Sequence, residues 1–119
     1  ALMAPAACIP FMAREGNFFG EKMDVNNIPD SLRLWGKSYI GRDYVKDAAA
    51  IDVYDRTAHY AGPVLIVQGN KDDPIIYKYA ALYPKYVHQA EYHELKGLSH
   101  SFAEGLSAPA KLIADFLSK

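Results

Sequence analysis

Apolar residues occupy successive positions at Val64-Leu65-Ile66-Val67, directly after Pro63, and Gly69-Asn70 stops the run. An uninterrupted apolar stretch has both of its faces covered, which predicts a central strand of a parallel sheet. Beyond it, Ile75, Ile76, Tyr79, Ala80, Leu82 and Tyr83 recur at helical spacing as far as Pro84. Gln89 to Leu95 reads as another strand. Ser107 and Pro109 then open a last helix, with Leu112, Ile113, Phe116 and Leu117 along one face. Strand, helix, strand, helix is the order of a right-handed parallel α/β arrangement.

The front of the chain patterns differently. Residues 1–7, an apolar run interrupted by Pro5, read as the end of a core strand with no initiator Met or cap signal, so a fragment continuing upstream is expected. From Cys8 to Asp47 the periodicity is poor, with glycines at 16, 20, 36 and 41 and aromatics scattered between them. A structureless loop of that length is improbable in a compact domain, so residues 8–47 are expected to form an inserted lid held by its own aromatic cluster. A short helix is predicted from Asp47 to Tyr60, ending before the breaker Gly62-Pro63. Residues 48–119 are then the α/β core.

Composition narrows the function classes. At 119 residues the chain is one small domain at most, and 13 Lys+Arg against 14 Asp+Glu leave a net charge of -1. That balance excludes a general nucleic-acid binder, whose footprint is a strongly basic face. The single cysteine, Cys8, excludes an internal disulfide framework and a Cys-based zinc site. No apolar run approaches the ~20 residues of a membrane helix, and no leader pattern appears, so a cytoplasmic location without membrane attachment is expected. Nine Tyr and five Phe supply flat amphipathic surface suited to cores and ligand pockets.

Two loops carry the candidate chemistry, Gln68-Gly69-Asn70-Lys71-Asp72-Asp73-Pro74 and Lys96-Gly97-Leu98-Ser99-His100-Ser101-Phe102. Each follows a predicted strand, at the sheet edge where ligands and catalytic groups gather in α/β folds. Taken alone, Asp72 or Asp73 could simply cap the next helix, and His100 could be a turn residue. His59, His88 and His93 sit in ordinary surroundings. Taken together, an acid after one strand and a histidine after the next is the chain order of a hydrolase triad. The acid fixes the imidazole tautomer and stabilises the imidazolium formed when histidine takes a proton from serine.

On these residues the chain resembles the C-terminal half of the α/β-hydrolases over nearly its whole length. Pro63 to Asp72 is similar to that family's strand with its Gly-x-x-Asp turn, and Gly97-Leu98-Ser99-His100 to its Gly-x-x-His loop. Leu2-Met3-Ala4-Pro5-Ala6-Ala7 and Asn27-Ile28-Pro29-Asp30 narrow the resemblance to the cinnamoyl and feruloyl esterases, which insert a lid between these strands. The resemblance implies Asp72 as the acid, His100 as the general base and no cofactor. It supplies no nucleophile, since Gly-x-Ser-x-Gly does not occur here. The nucleophile elbow and oxyanion donors are expected in a missing N-terminal half.

The family's lid holds the hydroxycinnamoyl group, and Tyr44 best matches the tyrosine that meets the phenolic hydroxyl. Met12 stands where the family has an acid and Phe19 where it has a glutamine, a departure from the phenolic pattern. Tyr44, Trp35 and Phe19 have an alternative role as lid packing. The expected activity is hydrolysis of hydroxycinnamoyl or related esters by a Ser-His-Asp mechanism, with a small ester as the partner molecule. Thioesterase or aminopeptidase-like chemistry, or a non-catalytic binder on the same fold, is the alternative. An unpaired strand edge also favours assembly with another chain, including a second copy.

Overall fold

The chain opens on a two-residue strand, β1 (Leu2–Met3), followed by α1 (Ile9–Glu15). Two hairpins come next, β2 (Asn17–Phe18) with β3 (Glu21–Lys22) and β4 (Ser31–Leu34) with β5 (Ser38–Gly41). Helices α2 (Arg42–Ala49) and α3 (Val53–Ala58) lead to β6 (Val64–Gly69). Then follow α4 (Pro74–Ala80), α5 (Tyr83–Tyr86), β7 (Ala90–Leu95) and α6 (Ser107–Leu117). This computed structural model describes residues 1–119. It divides into two compact units, one of residues 1–7 with 54–119 and one of residues 8–53.

The first unit is built on a three-stranded parallel sheet in the order β1-β6-β7. Every residue of β6 is buried, as its apolar run requires of the middle strand. Register pairs Leu2 with Ile66 on one side and Val64 with Ala90 on the other. Leu65, Val67, Ala4 and Phe102 form a buried cluster, against which Leu112, Ile113 and Phe116 of α6 pack. Three of the four residues expected on the apolar face of the last helix are therefore packed, whereas Leu117 is exposed. A second aromatic group joins Tyr54 of α3 to Tyr83 edge-on at 5.0 Å and to Tyr86 stacked at 5.2 Å. The Gln89 amide donates to the Tyr60 carbonyl at 2.7 Å, securing the turn before β6. The fold class is therefore α/β, with parallel strands and flanking helices.

The second unit holds α1, both hairpins and α2, with Phe18, Leu34 and Val45 among its buried side chains. Asp30 pairs with Arg42 at 2.5 Å, and the Arg42 Nε also donates to the Ile28 carbonyl.

Two helix expectations are corrected. The sequence predicts one helix over Asp47–Tyr60, whereas α2 already starts at Arg42, ends at Ala49 and is separated from α3 by residues 50–52. At the break the Arg14 Nη1 donates to the carbonyls of Ala49 and Ile51 at 3.0 and 2.9 Å, satisfying a helix end. The helical spacing from Ile75 to Tyr83 likewise divides into α4 and α5, with Pro84 in the first turn of α5, where its missing N–H is harmless. No helix is long and apolar enough to cross a membrane.

Candidate active site

Strand β6 delivers its last residues to an edge where two loops are joined. Asn70 N–H donates to the Leu95 carbonyl at 3.1 Å, and Lys71 N–H to the Leu98 carbonyl at 3.0 Å. In the other direction, Gly97 N–H donates to Asn70 Oδ1 at 2.8 Å. Gly97 has φ +82°, a backbone conformation that glycine adopts without penalty. The acid loop and the histidine loop thus form one hydrogen-bonded body.

Within it the two aspartates have separate tasks. Asp73 is the N-cap of α4, its Oδ1 accepting from the N–H groups of Ile75 and Ile76. Asp72 instead turns inward, and its side chain has no exposed surface. Its Oδ1 accepts from the Asp73 N–H at 2.6 Å. Its Oδ2 accepts from Gln68 Nε2 at 2.8 Å and lies 2.9 Å from His100 Nδ1. A carboxylate only accepts, so His100 carries its proton on Nδ1 and leaves Nε2 as the basic nitrogen. The His100 side chain is 57% exposed, and with Nδ1 held against a fully covered carboxylate that exposure falls on the rest of the ring.

The histidine loop is fixed on its far side too. Glu104 accepts from the Ser99 N–H with one oxygen at 2.7 Å and from the Ser99 hydroxyl with the other at 2.9 Å. This hydrogen bonding, ahead of the Lys71 charge, holds the Glu104 carboxyl below its ordinary pKa. The Ser99 hydroxyl is therefore directed to Glu104. Phe102, buried in the core, has φ +55°, an uncommon backbone for a bulky side chain. The buried ring anchors the loop to the sheet.

The other candidate residues belong to the second unit. Phe19 and Trp35 meet there, ring centroids 5.2 Å apart. Each is followed by glycine in a hairpin connection, of two residues at 19–20 and of three at 35–37, and in each the first two residues have positive φ: Phe19 +49° and Gly20 +94°, Trp35 +51° and Gly36 +68°. Positive φ at both central residues is what a type I′ turn requires, yet the first position ordinarily holds Asn, Asp or Gly. Tyr44, on α2, lies 6.4 Å from Phe18 and about half of it is exposed. Met12 is buried in α1. No three His, Cys, Asp or Glu side chains gather to hold a metal ion. A cavity of about 580 Å³, lined by Leu2, Arg56, Tyr60, Val64 and Phe116 among others, lies at the opposite end of β6 from Asp72.

Sequence reasoning passed over Gln68 and Glu104. The signal for Gln68 was an amide continuing an apolar run; for Glu104 there was none beyond its nearness to Ser99.

Comparison with solved structures finds Est1E from Butyrivibrio proteoclasticus, at a TM-score of 0.88 and 32% sequence identity, over 97% of this chain and 48% of that one. Est1E with ferulic acid bound matches at a TM-score of 0.86 and 32% identity, over 97% of this chain and 46% of that one. The chain therefore spans about half the length of the structures it matches. No protein-family model and no curated protein matches it.

Proposed function

Because the chain is related to the α/β-hydrolase esterases over about half the length of Est1E, we propose that it is the acid-and-base part of a carboxylic ester hydrolase. The observation that carries this reading is the 2.9 Å contact between His100 Nδ1 and the fully covered carboxylate of Asp72. In the proposed reaction His100 Nε2 takes the proton of a serine hydroxyl as that oxygen attacks the ester carbonyl. The same nitrogen returns the proton to the leaving alcohol, and a water repeats the sequence on the acyl-enzyme. The serine and the oxyanion donors come from a segment outside these 119 residues, which hold no Gly-x-Ser-x-Gly.

For the acyl group we favour hydroxycinnamates, supported by the ferulic acid bound to Est1E and by the aromatic side chains of the second unit. Phe19 and Trp35 stay in backbone conformations that bulky residues avoid, costing on the order of 1–3 kcal/mol each. Residues kept at such a cost cluster at ligand sites, and these two, touching with their rings tilted by 44°, offer aromatic faces to an aromatic acyl group. In this reading the unit acts as the lid, with Tyr44 offering a hydroxyl to the phenol and Met12 filling apolar space.

The test joins this chain to the segment that carries the serine elbow and measures turnover of methyl ferulate and of a short aliphatic ester. Ferulate turnover that collapses in His100→Ala supports the reading, and turnover that survives it removes the reading. Hydrolysis of the aliphatic ester alone would remove only the acyl assignment. The 119 residues by themselves should show no serine-dependent hydrolysis.

A further inference from the structure

Gln68 is wholly buried in a strand whose neighbours Leu65, Ile66 and Val67 are apolar, so an amide there calls for a reason. Its Nε2 donates to Asp72 Oδ2 at 2.8 Å and to its neighbour's carbonyl, Gly69 O, at 3.0 Å. Both partners are acceptors, which fixes the amide orientation: turned over, its oxygen would face two more oxygens. Its own Oε1 is buried without a partner. An apolar residue at this position would avoid that unpaired acceptor, so packing alone does not account for the amide.

We propose that Gln68 is a positioning residue that sets the Asp72 carboxylate for His100. The inference rests on the acid-and-base reading of this pair. Oδ1 is held by the Asp73 N–H, and Oδ2, the oxygen that meets His100 Nδ1, is held by Gln68. With both oxygens tethered, the carboxylate plane is fixed and one acceptor direction of Oδ2 faces the imidazole. Without the amide, the carboxylate pivots about its remaining tether and the hold on the Nδ1–H tautomer weakens. Gln68 touches no reacting atom and acts only through Asp72.

The experiment reads the tautomer of His100 by nitrogen-15 NMR in the 119-residue chain, so it does not depend on ester hydrolysis. In neutral His100, Gln68→Met should lower the ratio of Nδ1–H to Nε2–H tautomer several-fold, because the lost hydrogen bond is made in both tautomers and only its orienting hold on Oδ2 enters the ratio. Asp72→Asn, which replaces the carboxylate itself, provides the reference. An unchanged ratio in folded Gln68→Met overturns the proposal. Should that variant not fold, the side-chain amide signals of Gln68 decide in Asp72→Asn: a clear shift supports the tether, and no shift overturns it. If the tautomer result holds while the joined protein hydrolyses no ester, the functional reading fails and the positioning role of Gln68 stands.

Discussion

Gly69 lies so close to the carbonyl of Leu98 that a Cβ at position 69 would sit 2.1 Å from its oxygen. The same oxygen accepts from the Lys71 N–H, so the contact is built into the seam between the acid and histidine loops. Here glycine is required by close backbone approach and not by an unusual φ. A backbone oxygen on one loop and a backbone atom on the other cannot yield as a flexible side chain would.

Gly69→Ala should therefore force the loops apart, with a loss of at least about 2 kcal/mol of stability, toward the upper range for overpacking. Urea unfolding measures the loss, and the His100 tautomer reports whether the pair separates. A variant as stable as wild type, with the tautomer unchanged, would mean the seam is loose.

The two adjacent aspartates should separate cleanly by experiment. Asp72→Asn places an amide where Gln68, His100 and the Asp73 N–H all donate, so its NH₂ end conflicts with a donor and drives His100 to the wrong tautomer. In the joined enzyme turnover should fall by about 10⁴, the effect known for the Ser-His-Asp template. Asp73→Ala should remove a helix cap, costing about 1 kcal/mol of stability, with turnover nearly unchanged. The reverse pattern, a mild Asp72→Asn and an inactive Asp73→Ala, would reassign the acid.

Glu104 makes the histidine loop sensitive to acid. Its carboxyl is held below its ordinary value of 4.5, chiefly by the Ser99 hydrogen bond. A carboxyl depressed in the folded state contributes stability above its unfolded pKa, and that contribution is lost as pH falls through the folded value. The loss thus belongs below pH 4.5. Glu104→Gln keeps one acceptor but no titration, so the difference in urea midpoint between wild type and variant should shrink on acidification. A difference independent of pH would show that the Ser99–Glu104 contact does not couple to folding.

Tyr44→Phe removes one hydroxyl and leaves the ring beside Phe18. If that hydroxyl meets the phenol of the acyl group, kcat/KM for ferulate relative to cinnamate esters should fall several-fold, for about 0.5–1.5 kcal/mol. An unchanged ratio would assign Tyr44 to packing alone.

Legibility in the sequence followed the range of the interactions. The β6 run and the Gly69-to-Asp72 and Gly97-to-His100 spacings are local, and they located the central strand and both loops that meet at its end. The Arg14 side chain that satisfies carbonyls at the break between α2 and α3 comes from 35 residues before Ala49, and no local pattern carries that contact. Gln68 was hidden for a related reason: its amide reads as the end of an apolar run until Asp72 folds back beneath it. The hairpin turns were obscured by their own chemistry, since Phe-Gly and Trp-Gly lack the Asn or Asp that ordinarily marks a type I′ turn.

That departure provides the last test. Trp35 has φ +51° and is 61% exposed, so burial does little to offset a conformation that disfavours its Cβ by about 1–2 kcal/mol. Asparagine suits the same backbone, because a short polar side chain tolerates the left-handed region. Trp35→Asn also removes the ring contact with Phe19, worth about 0.5 kcal/mol at an exposed position. The relief exceeds the loss, so Trp35→Asn should raise the thermal midpoint of the chain. If the Phe19–Trp35 pair forms the surface for the aromatic acyl group, the same change in the joined enzyme should raise KM for methyl ferulate while leaving turnover of a short aliphatic ester in place. A gain in stability with no change in KM would show that the strained pair serves the fold and not the substrate. A loss of stability would mean that the ring contact outweighs the backbone strain, and the argument from strain to ligand binding would fall with it.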